Sequence, residues 1–156
     1  MKMPKFNSLL LLFSLLPGLI LNSCSKEEDY AEIDDKSIRE YLQKKNLTAQ
    51  KTASGLYYSI SVPGSSLKPG PNSLVTVHYR GYFLNDSVFE TSYPGSAPTF
   101  PLSGVIAGWH EGLQLFGEGG KGTLFIPSGL AYGKTAMPGI PANTVLIFDI
   151  HLINIE

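Results

Sequence analysis

Cysteine is nearly missing from this chain. Cys24 is the only one, which excludes an intramolecular disulfide and a multi-cysteine metal site. Charge is sparse and balanced, with 12 Lys and Arg against 13 Asp and Glu, so the basic footprint that nucleic acid requires is lacking. The three histidines, His78, His110 and His151, are scattered. No Gly-x-Ser-x-Gly elbow is present, so hydrolase chemistry has no visible machinery. Internal repeats and low-complexity tracts are absent as well.

Three near-matches fail on inspection. His110-Glu111-Gly112-Leu113-Gln114 begins like a zinc-protease helix, but the second imidazole is replaced by Gln114. Gly129-Leu130-Ala131-Tyr132-Gly133-Lys134-Thr135 is one residue short of a phosphate loop, and Pro138 and Pro141 forbid the helix that should follow. Gly117 to Gly122 is glycine-rich without a strand before it and a helix after it, so it reads as a turn.

What the chain does have is turn residues and rings. Gly 16 and Pro 11 favour short strands over long helices, and 11% aromatic residues provide the bulk a single small domain needs. Lys2 and Lys5 precede an apolar stretch from Leu9 to Leu21, broken by Pro17-Gly18 and too short to span a bilayer comfortably. Leu21-Asn22-Ser23-Cys24 then resembles a lipobox, so residues 1–23 are expected to be a lipoprotein signal peptide and Cys24 the lipidation site. More than one acyl chain there would give stable membrane anchoring. Ser25-Lys26-Glu27-Glu28-Asp29 opens an acidic tether, expected over 24–34. It resembles an outer-membrane sorting signal, which leaves the surface and periplasmic faces both open.

Asp34 or Asp35 is placed to cap a short helix ending near Lys45, with Ile38, Tyr41 and Leu42 on one face. That helix and a linker fill 35–54, either packed on the domain or acting as a stalk. Strands are expected at Leu56–Val62, Leu74–Phe83, Phe89–Thr91, Phe100–Leu102, Lys121–Ile126 and Thr144–Ile155. A helix from Val105 to Phe116 would end at Gly117, and Pro127–Asn143 would form a long loop. The predicted class is α+β: a strongly curved antiparallel sheet around one short α-helix, with a short N-terminal helix.

Several blocks stand in a telling order. These are Val77-His78-Tyr79-x-Gly81, Phe89-Glu90-x-Ser92, Phe100-Pro101-Leu102, Val105-Ile106-x-Gly108-Trp109-x-Glu111-Gly112-Leu113, Ala131-Tyr132-Gly133 and Leu146-Ile147-Phe148-Asp149. Together, from about Val75 to the C-terminus, they resemble the FKBP-type peptidyl-prolyl cis–trans isomerases, within a domain expected at 55–156. The resemblance implies a shallow pocket between sheet and helix. Its catalytic residues would be Tyr79, Phe89, Glu90, Trp109, Tyr132 and Phe148, with Val105, Ile106 and Ile140 binding substrate. Trp109 would be the floor, whereas Phe100 is read as ordinary core. The family usually has Asp where Glu90 stands, and the loop at Met137–Pro141 is shortened. An inserted chaperone domain is lacking there too.

The residue types suit the implied chemistry. An X–Pro bond resists rotation through partial double-bond character, and a dry aromatic pocket disfavours the polar planar form relative to the twisted one. No cofactor, metal or nucleophile is required. The expected substrates are X–Pro segments of unfolded or exported proteins, with macrolides as further ligands the resemblance admits. A non-catalytic partner-binding module on the same fold is the alternative, and a purely structural envelope lipoprotein is a third class.

Overall fold

The computed structural model describes residues 29–156. The expected signal peptide and Cys24 lie outside the described residues. The first element is helix α1, Tyr30–Lys45. The Asp29 carboxylate accepts the Ala31 N–H at 3.1 Å, which satisfies one orphan donor of the first turn. Lys44 and Lys45 end the helix, and Asn46 closes it in the left-handed conformation at φ 54°.

The helix therefore begins four to five residues before the expected cap, and residues 30–34 of the supposed tether are helical. Asp34 does not cap α1; it lies on the buried face with Ile38, Tyr41 and Leu42. Three aspartates compete for the cap in this stretch, and a tertiary partner for Asp34 settles the choice. The helix packs on the domain and is no free stalk. The linker also contributes to the fold, because β1 (Gln50–Lys51) pairs with β2 (Tyr57–Val62).

The remaining strands are β3 (Leu74–Tyr82), β4 (Val88–Thr91), β5 (Thr99–Pro101), β6 (Lys121–Ile126) and β7 (Leu146–Ile155). Among the described residues they make one antiparallel sheet in the order β1-β2-β6-β7-β3-β4, with β5 also on β3. Strand boundaries fall within two residues of expectation because the period-2 patterning is strong.

Helix α2 is shorter than expected, Ala107–Leu113, preceded by a 3₁₀ turn at Leu102–Gly104. Val105 and Ile106 are extended, at ψ 169° and 150°, and the Ile106 carbonyl receives the N–H groups of Trp109 and His110. At the far end, Leu115 and Phe116 bond back three residues, so the helical period runs on past the α-helix itself. Within α2, a Cβ on Gly112 would sit 2.6 Å from Leu124 Cδ1, so glycine lets the helix lie directly on β6.

Alternation along β6 and β7 divides the interior into two clusters. Leu124, Ile126, Leu146, Phe148, Ile150 and Leu152 face α2 with Trp109, Leu113 and Phe116. Phe125 and Ile147 point the other way, onto Ile38, Tyr41 and Leu42 of α1. The sheet is thus covered on both faces at that end, by α2 on one and α1 on the other.

Candidate functional site

A hollow of about 290 Å³ opens between α2 and the concave face of the sheet. Tyr79 comes from β3, Glu90 from β4, Phe100 from β5 and Phe148 from β7. Gly104, Val105 and Ile106 form the approach to α2, Trp109 lies within it, and Tyr132 stands on the loop after β6.

Trp109 is the hub of this arrangement. Its indole is nearly perpendicular to Tyr79 (5.1 Å, 83°), Phe100 (5.6 Å, 88°) and Phe148 (5.2 Å, 82°). Such edge-to-face contacts set positive ring edges against negative faces and hold the rings in one orientation. Trp109 and Phe148 are each only 5% exposed, whereas Tyr132 is 37% exposed, so a deep apolar floor meets a wetter rim. The Trp109 Nε1–H is buried without a hydrogen-bond partner among the described residues.

The rim carries one defined polar pair. The Tyr79 hydroxyl donates to Glu90 Oε1 at 2.9 Å. Burial first, then that hydrogen bond and the carboxylate charge, push the Tyr79 hydroxyl up to about 12. Its phenol is therefore neutral throughout the physiological range and its proton is committed to Glu90. The longer glutamate still reaches the tyrosine.

Two expected site residues do not line the hollow. Phe89 lies behind it, perpendicular to Phe148 at 5.6 Å and tilted on Phe83 at 4.9 Å. Gly81 makes this possible, since a Cβ there would lie 2.6 Å from the Phe89 ring and 2.9 Å from the Phe148 ring. Ile140 packs against the same core, but its backbone is engaged with Met137 in a short bridge, both bonds at 2.9 Å. Phe100 is the opposite correction. Reading it as plain core missed that β5 turns it toward Trp109, and only the pairing of β5 with β3 reveals this.

A larger groove, about 560 Å³, runs between α1 and the loops at 83–87 and 139–145. It brings together hydroxyls, amides, aliphatic groups and the Asp34 carboxylate, with Phe83 as its one aromatic ring, and it has no comparable aromatic geometry. Among the described residues no three of His, Cys, Asp and Glu converge as metal ligands. His110 pairs its Nδ1 with the Leu102 carbonyl at 2.9 Å, and Gln114 donates to the His110 carbonyl at 2.7 Å, so that stretch clamps α2 to its approach.

Comparison with known proteins agrees with this fold. The family model described as FKBP-type peptidyl-prolyl cis-trans isomerase matches residues 65–153. The protein named FKBP-type peptidyl-prolyl cis-trans isomerase FkpA is 44% identical in Buchnera aphidicola over 78% of this chain and 48% of that protein. The Aeromonas hydrophila protein of the same name is 40% identical over 87% and 52%, respectively. The chain thus spans about half the length of the curated relatives it matches. The crystal structure of FkpA from Escherichia coli superposes with a TM-score of 0.72 at 36% identity, covering 81% of this chain and 61% of that one. A peptidyl-prolyl cis-trans isomerase from Pseudomonas syringae superposes at 0.69 with 30% identity, over 83% of this chain and 98% of that one. With fold and sequence in agreement, the chain belongs to the family of FKBP-type peptidyl-prolyl cis-trans isomerases.

Proposed function

We propose that this protein accelerates cis–trans isomerisation of X–Pro bonds in unfolded or exported proteins, with the prolyl ring seated on Trp109. The observation that carries this reading is the indole surrounded by three perpendicular rings in a hollow of about 290 Å³, room enough for a prolyl ring. Val105, Ile106 and Phe148 enclose the ring, and Phe100 completes the wall. The Ile106 N–H and the Tyr132 hydroxyl hold substrate carbonyls on either side. Tyr79 orients the carbonyl that turns, and Glu90 fixes the Tyr79 hydroxyl. Phe89 supports Phe148 from behind, and Ile140 backs the core beside the loop.

Catalysis here is differential binding. The planar imide loses solvation on entering the hollow, whereas the twisted imide has less polarity to lose, so the barrier falls. A reduction of about 7 kcal/mol corresponds to roughly five decades of rate. The lipobox-like sequence supports attachment through a lipidated Cys24 at the cell envelope, in the outer membrane, with only Ser25–Asp29 between lipid and α1. Macrolides that present a prolyl-like ring are further candidates for the same hollow.

The test is exchange NMR on an X–Pro peptide with the full chain at micromolar concentration. Acceleration of exchange is expected. Peptide binding without acceleration would assign the hollow to partner recognition instead.

A further inference from the structure

We infer that Asp34, on the N-terminal helix, is a positioning residue for the hollow: through Ser128 it fixes the loop that presents Tyr132. Asp34 is 3% exposed, and Ser128, 2% exposed, is the other polar residue among the described ones to be so deeply buried. The two are 94 positions apart. One carboxylate oxygen of Asp34 accepts both the Ser128 backbone N–H, at 2.8 Å, and its hydroxyl, at 2.6 Å. A buried carboxylate is costly unless it is hydrogen-bonded, and an apolar pair could have filled this space for packing alone.

The consequence lies three to five residues further on. The Ser128 carbonyl accepts the N–H groups of Ala131 at 3.0 Å and Gly133 at 2.8 Å, the two neighbours of Tyr132. Gly133, in the left-handed region at φ 56°, passes the constraint on by accepting the Asn143 N–H at 2.7 Å. Tyr132 itself is half-open to solvent, and its hydroxyl has no hydrogen bond among the described residues. Its place at the rim of the hollow therefore comes from the backbone on either side of it, and that backbone hangs from Ser128. Removing the carboxylate frees Ser128, then the turn, then the phenol at the rim.

The activity half of the test rests on the isomerase reading; the ordering half does not. Amide hydrogen exchange is followed in the full chain for D34A, D34N and S128A. D34A is expected to speed exchange at Ala131 and Gly133 by about tenfold or more while Ile150 in β7 is unchanged. D34N, which keeps an acceptor, restores most of the protection, and S128A, which loses one of the two bonds, falls between. Isomerase activity is measured in parallel on wild-type and Tyr132→Phe backgrounds. D34A should lower kcat/KM by about fivefold on the first and by less than about twofold on the second. Unchanged exchange at Ala131 and Gly133, or equal losses on both backgrounds, overturns the assignment. Should D34A not fold, S128A decides by exchange alone, with native protection as the refuting result. A wild-type chain with no isomerase activity would sink the isomerase reading and leave the exchange comparison to judge Asp34.

Discussion

Trp109 and Phe148 meet edge to face, 5.2 Å between ring centroids at 82°, although they come from helix α2 and the last strand. The helix is brought this close by Gly112, whose missing side chain admits Leu124 of β6, the strand paired with β7. Site geometry and core packing are thus one arrangement, and perturbing either registers in the other.

Trp109→Ala should abolish detectable isomerisation and cost about 3–5 kcal/mol of stability, because it removes the hub of three ring contacts as well as the floor. Trp109→Phe separates the two effects. Its stability loss should be smaller while kcat/KM still falls by about tenfold, read by exchange NMR and urea denaturation. Wild-type activity in both variants would place the site elsewhere.

Gly81→Ala places a methyl group between the Phe89 and Phe148 rings. Overpacking of this kind costs about 1–3 kcal/mol, and here the strain falls on a wall of the hollow. Proline-peptide affinity should weaken by more than the drop in thermal midpoint alone explains. An equally active, equally stable variant would show that the two rings move aside freely.

Alkali should unfold the protein through its buried phenols. Tyr79 and Tyr41 are both raised to about 12, foremost by burial and next by hydrogen bonds to Glu90 and Asp86. A raised folded-state value means the stabilisation is complete below about pH 10 and is lost as pH climbs toward 12. The urea midpoint should therefore hold to pH 9.5 and fall beyond it, with a shallower fall in Tyr79→Phe. A midpoint flat to pH 12 would refute the burial of both groups.

Acid acts through Asp35 of α1. Hydrogen bonds from Lys51 and Tyr57 hold the Asp35 carboxyl down at about 2. Its contribution is present above about pH 4 and disappears as pH falls through 2. Solvent around Lys51 and Asp35 screens the pair, so the effect on stability is small, and carboxyl NMR titration is the suitable measurement. A midpoint near 4 for Asp35 would mean that β1 is not docked on α1.

Much of this protein could be read from residue order alone. Alternation along Leu146–Ile155 marks a strand with one face in the core, and that is what β7 is, because a period of two has one structural solution. The blocks around Tyr79, Trp109, Tyr132 and Phe148 likewise name most of the hollow in advance. Harder to see were the exact start of α1 and the fate of Phe100 and Phe89. Capping chemistry allows any of three aspartates, and an isolated Phe on a short strand has two faces on which to lie.

Local chemistry, then, determined which segments are strands and which rings are large and apolar enough to build a buried floor. The folded chain alone decided which carboxylate is buried, which phenylalanine joins the wall and which stands behind it. Those choices depend on partners far away in sequence, such as Ser128 for Asp34 and Trp109 for Phe100, and contact at a distance leaves no periodic trace in the residues themselves.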